Sequence, residues 1–124
     1  MSAEWEVLCR GADFLVEAPL VHVQLGDQRR HRVTVEEHGS EYLLSAIVVR
    51  RSVVGSDPGL ALEAWLRNRT TRLVGFRIDT RGRLIGEAWV PKAGLTAEEF
   101  QLVARTVAAE CDRFEYALTG RDVE

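Results

Sequence analysis

Three histidines, two cysteines and fifteen arginines are the side chains of this 124-residue chain with the strongest claim to chemistry. His22, His31 and His38 lie near one another in sequence, and a metal centre would need at least two of them on one face. A two-residue turn between strands would set His22 opposite His31, but it would also face Val21 and Val23 with Arg32 and Arg30. That mixes an apolar row with a charged one, so the histidines read as structural or solvated groups and no metal is expected. Cys9 and Cys111 have no CxxC or Cys/His spacing around them, and Cys111 falls on an apolar helical stripe where a thiol is packed and inert. The pairs Glu36-Glu37 and Glu98-Glu99 are adjacent and diverge, which does not suit a general acid and base. No GxSxG, HExxH or phosphate-loop spacing occurs, so neither a catalytic residue nor a cofactor is expected.

Arginine is the remaining candidate. Arg67, Arg69, Arg72, Arg77, Arg81 and Arg83 crowd into residues 67–83 of a chain whose net charge is −3, and Arg29, Arg30 and Arg32 make a second run. Neither run is interleaved with aromatics or accompanied by a recognition helix, and the pI near 5.7 lacks the footprint of a nucleic-acid binder. A nucleic-acid-linked regulator using these arginines is therefore the alternative reading. The chain holds no apolar run of membrane-spanning length, and MSAEWEVLCR lacks the basic start and apolar centre of a secretion signal. A cytoplasmic protein of one domain, residues 1–124, is expected.

The elements that must position these side chains are well marked in places. Trp5, Leu8, Cys9 and Ala12 keep helical spacing before the extended run Phe14, Leu15, Val16. From Leu20 the period becomes two, giving VHVQL, HRVTVEE and EYLLSAIVV as a meander. A loop at Gly26–Gln28 puts Val21 opposite Val33, and a tight turn at His38-Gly39 puts Val35 opposite Tyr42. Val21, Val23, Val33, Val35, Tyr42, Leu44, Ala46 and Val48 then share a core face, and the third strand, apolar on both faces, is central. Asp57 with Pro58 starts a helix through LALEAWLRNR. LVGFRID and RLIGEAWV form a hairpin over Asp79-Thr80-Arg81-Gly82, a type I turn with a glycine bulge. Thr96 and Glu99 make a capping box, Leu95 and Phe100 a staple, and Phe100, Val103, Val107, Cys111, Phe114 and Leu118 the stripe of a long helix ended by Gly120.

This order specifies an α+β domain: a five-stranded antiparallel sheet (β-β-β-α-β-β-α) after a short N-terminal helix, with helices on one face. It resembles the type III secretion chaperone-like superfamily, in particular its YbjN-type branch of bacterial proteins. LVGFRIDTRGRLIGEAWVP followed by GLTAEEFQLVARTVAAECDRFE carries most of the likeness. The resemblance implies a small, often dimeric α+β protein that binds other polypeptides and catalyses nothing.

The hairpin register locates a binding surface. Ile78 with Leu84, Phe76 with Gly86 and Val74 with Ala88 line the core side, where Gly86 leaves room for the Phe76 ring. The other side pairs Asp79 with Arg83, Arg77 with Ile85, Gly75 with Glu87 and Leu73 with Trp89, leaving Leu73, Ile85 and Trp89 on a face that two-layer folds give to water. With Leu43 and Ile47 of the central strand they form an apolar patch, and Arg77 and Arg83 its polar rim. The expected occupant is a protein partner or a second copy as a homodimer; the N-terminal helix as a cover is the third arrangement. Neither nucleic acid nor membrane is expected there.

Overall fold

The computed structural model describes residues 4–119. Its sheet contains β1 (Phe14–Glu17), β2 (Leu20–Gln24), β3 (Arg30–His38), β4 (Glu41–Val49), β5 (Gly75–Ile78) and β6 (Leu84–Pro91). All neighbours are antiparallel in the order β1-β2-β3-β4-β6-β5. The helices are α1 (Glu4–Leu8), α2 (Arg51–Ser56), α3 (Leu60–Asn68) and α4 (Ala97–Thr119).

Six strands replace the five expected from sequence. The additional one is β1, which pairs Leu15 with His22 and Val16 with Val21. Four residues give too few alternations for a period of two to be seen, and the strand exists because β2 offers it an edge. A second correction concerns the crossover between β4 and β5. It holds two helices, and α3 begins at Leu60 rather than Pro58, because the Asp57 carboxylate caps the Gly59 amide (3.1 Å) in a turn between α2 and α3. α2 escapes a sequence reading because Val53, Val54 and Gly55 are poor helix formers.

Elsewhere local chemistry directs the chain as expected. Leu25 donates its amide to the Arg29 carbonyl (2.8 Å) and closes the Gly26–Gln28 loop, so that Val21 meets Val33. At the next turn the loop is Gly39-Ser40, with Gly39 at φ 59°, and Val35 faces Leu44 rather than Tyr42. This two-residue shift leaves every side chain on its expected face, because a slip by an even number preserves the alternation. The eight core-face residues are all buried. The β5–β6 pairing is as read, Gly75 with Glu87 through Ile78 with Leu84, and Gly82 takes the left-handed φ of 81° that the bulge requires. The strand itself starts at Gly75, so Leu73 has no ladder partner.

α4 lies across the core face against β3, β4 and β6. Its capping box closes in both directions, Glu99 N to Thr96 Oγ1 and Thr96 N to Glu99 Oε1, each 3.1 Å. Phe100, Val103, Val107, Cys111 and Phe114 are buried and Leu118 packs at the margin, while the expected stop at Gly120 lies outside the described residues. α1 packs on α4 through Trp5 stacked on Phe100 (5.9 Å), and Gln101 donates to the Leu8 carbonyl (2.8 Å).

β5 is an edge strand, and its free edge is closed by a side chain. The Asn68 amide donates to the Phe76 carbonyl (2.9 Å) and accepts from the Phe76 amide (2.7 Å), as a neighbouring strand would. Asn68→Ala leaves both backbone groups without that partner. A loss of about 1–3 kcal/mol in urea unfolding is expected, with no rescue by Asn68→Asp, which can accept but not donate.

Candidate interaction surface

The face of the sheet opposite α4 is a broad trough of about 1350 Å³. Its floor is the outward set of β2, β3, β4, β6 and β5, and Arg50, Val53, Thr80 and Arg81 also border it. α1 lies on the α4 side of the molecule, so the described N-terminal helix does not cover it.

Four of the expected contact residues meet along neighbouring strands: Leu43 is paired with Trp89, and Ile47 with Ile85. Arg77 lies beside Ile85 on the other flank. They differ in what they offer a partner. Ile47 and Trp89 are 41% and 49% exposed, whereas Leu43 and Ile85 are nearly closed off at 9% and 7%. Leu43 and Ile85 therefore stiffen the floor, and the available apolar area belongs to Ile47 and Trp89. The Trp89 ring meets His38 edge-on at 5.4 Å. Neither Leu73 nor Trp89 borders the trough itself: Trp89 adjoins it through its strand partner Leu43, whereas Leu73 is exposed ahead of β5.

Arg77 and Arg83 are both tied down. Arg77 binds Glu87 through Nε (2.8 Å) and a second nitrogen (3.1 Å), which raises its already high pKa. Arg83 donates Nε (3.0 Å) and Nη2 (2.8 Å) to Asp79 Oδ2, while Asp79 Oδ1 accepts the amides of Arg81 (3.0 Å) and Arg83 (2.9 Å). Burial alone would push the Asp79 carboxyl up, but the Arg83 amide and guanidinium with the Arg81 amide outweigh it and hold it below the usual carboxylate range. A carboxyl with a depressed folded pKa stabilises fully above its unfolded value, and that stability is lost as pH falls through the lower folded value. Asp79→Asn should therefore be less stable at neutral pH and show a shallower loss on acidification, in thermal melts taken between neutral and strongly acidic pH.

Arg30, Arg32, Arg50 and Arg81 also border the trough and form no ion pair among the described residues. Sequence reasoning assigned Arg30 and Arg32 to a separate basic run, because nothing local shows that β3 brings them beside Ile47. The helix-end arginines are partly committed elsewhere: Arg67 lies 4.4 Å over the buried Phe114 ring and Arg69 5.3 Å over Trp65. A second apolar area was missed altogether, Leu62, Trp65 and Leu66 on the outer side of α3. Their spacing of three and four residues was the available signal.

Both thiols are poor nucleophiles. Burial pushes Cys111 up to about 12 and Cys9 to about 11, the latter against the opposing pull of Arg105. Among the described residues no helix is long and apolar enough to cross a membrane.

Three solved structures share this fold at low identity. A chain in the heterodimeric complex ExoU-SpcU, from the type III secretion system of Pseudomonas aeruginosa, has TM-score 0.60 at 15% identity, over 95% of this chain and 97% of that one. One in the ExsC-ExsE complex has TM-score 0.59 at 20% identity, over 80% and 75%. YbjN from E. coli has TM-score 0.56 at 18% identity, over 94% and 85%. No curated protein sequence matches the chain. The YbjN family model, described as "Putative bacterial sensory transduction regulator", matches residues 2–119, so the chain belongs to the YbjN family.

Proposed function

We propose that the protein is a non-enzymatic interaction module of chaperone or adaptor type, and that its trough holds an extended segment of a partner polypeptide. The observation carrying this reading is the composition of the surface: exposed Ile47 in the trough and exposed Trp89 beside Leu43 at its margin, next to four arginines that form no ion pair among the described residues. Apolar anchors beside arginines that form no ion pair among the described residues suit a chain that alternates apolar and acidic residues, since buried aromatic area supplies affinity and charge supplies orientation. Strands about 4.8 Å apart make five of them roughly 19–24 Å across, the reach of about six or seven extended residues. Two of the solved neighbours are complexes by name, which supports a role in binding protein.

Leu43, Ile47, Ile85 and Trp89 form the apolar strip of this surface, with Arg77 and Arg83 holding its polar border. Leu73 would contribute only with a partner that reaches past β5. Self-association would use the same face or the α3 patch. The nucleic-acid reading has less to rest on, because Arg67 and Arg69 are stacked on aromatic rings and Arg29 is bound to Asp112. Salt titration of whatever binds separates the two. Phosphate binding must weaken steeply and log-linearly with salt, whereas a segment anchored on Trp89 retains much of its affinity.

A further inference from the structure

Beside the trough, where β3 begins against the last turns of α4, His31, Asp112 and Glu115 bring one imidazole nitrogen and two carboxylate oxygens within 4.8 Å of one another. Asp112 and Glu115 are three apart on α4 and so project from one side of it. All three side chains are half-buried, and His31 and Glu115 border the trough, so the cluster is sheltered yet reachable.

Two of the donors are held from behind. His31 Nε2 lies 2.9 Å from the Ile47 carbonyl oxygen, which can only accept; Nε2 therefore carries a proton, and in the neutral ring Nδ1 keeps its lone pair. Arg29 donates both Nε (3.0 Å) and Nη2 (2.8 Å) to Asp112 Oδ2. This leaves Oδ1 facing His31 Nδ1 at 3.7 Å. That gap is too wide for a hydrogen bond but close to the roughly 3.3 Å edge of a tetrahedron built on bonds of about 2.0 Å. Imidazoles of zinc sites are oriented in this way, their second nitrogen fixed on a carbonyl.

We infer that His31, Asp112 and Glu115 form a binding site for a divalent transition-metal ion of the zinc class, which ties β3 to α4 beside the trough. An imidazole among three ligands suits zinc, with water in the fourth position; calcium and magnesium require more oxygen donors than this cluster supplies.

The test is isothermal titration of the full chain with zinc in a non-chelating buffer, with cobalt absorption as a spectroscopic readout of the ligand field. His22→Gln with His38→Gln removes the other two imidazoles. One ion per chain is expected for the wild type and for that double variant, unaffected by excess magnesium or calcium. His31→Gln and Glu115→Gln should each weaken binding by about 10–100-fold or more and change the cobalt bands. Glu115→Gln lies on the helix surface and keeps the result interpretable if His31→Gln unfolds. Absence of saturable one-site binding, or binding that survives both substitutions, overturns the assignment.

Discussion

Gly86→Ala is expected to destabilise the domain by about 3 kcal/mol, at the upper end of the ordinary cost of overpacking a core. Gly86 sits on the core face of β6 opposite Phe76, facing Cys111 of α4. A Cβ there would lie 2.5 Å from Cys111 Sγ, 2.9 Å from Phe76 Cε1 and 3.1 Å from Val74 Cγ1. None of these can move far: Cys111 is fully buried with its thiol near the Ala46 carbonyl (3.7 Å), and the Phe76 ring is wedged edge-on to Phe114 at 4.9 Å. The sheet and α4 must separate, or the ring must leave its rotamer. Urea unfolding reads the loss as a lower midpoint at unchanged slope. Adding Cys111→Ala should recover roughly 1 kcal/mol, because the residues are in contact and their effects couple. A loss below about 1 kcal/mol would mean that the side chains around Gly86 are not packed so closely.

The second large effect is on binding. Trp89→Asp should leave the fold intact, because half of the Trp89 surface already faces water and its position on β6 points away from α4. It should cost a partner at least about 2 kcal/mol, or roughly 30-fold in Kd, the loss typical of a central aromatic anchor. Ile47→Asp places a charge on the same strip and should act in the same direction. If Trp89→Asp unfolds the domain, Trp89 belongs to the core and the face assignment fails. Far-UV circular dichroism and a thermal melt decide this before any binding is measured.

The contrast between Gly86 and Trp89 shows what the sequence makes legible. Both follow from one short-range feature, the Asp79–Gly82 turn, which fixes the hairpin register and with it the face of every residue in β5 and β6. The capping box of α4 is similarly local, three residues apart, and could be read with its stripe. Where information came from farther away, the reading thinned. β1 is four residues whose partner is supplied by β2, and α2 is a weak helix former between Arg50 and Asp57. The surface was legible as a set of letters but not as a shape: burial of Leu43 and Ile85 depends on neighbours across strands. The meeting of Arg30 and Arg32 with Ile47 depends on strand order. The His31–Asp112 approach joins residues 81 positions apart, and the sequence gives no hint of it.

The trough's role is tested most directly by displaying a library of random segments about ten residues long and selecting binders on the immobilised full chain. Selected segments are expected to alternate apolar and acidic residues, and to lose at least about 30-fold in affinity to Trp89→Asp. Affinity should also fall clearly with Arg30→Glu and Arg32→Glu together. Binders that are basic or uncharged, or that bind Trp89→Asp as tightly as the wild type, would contradict a polypeptide-binding trough on this face.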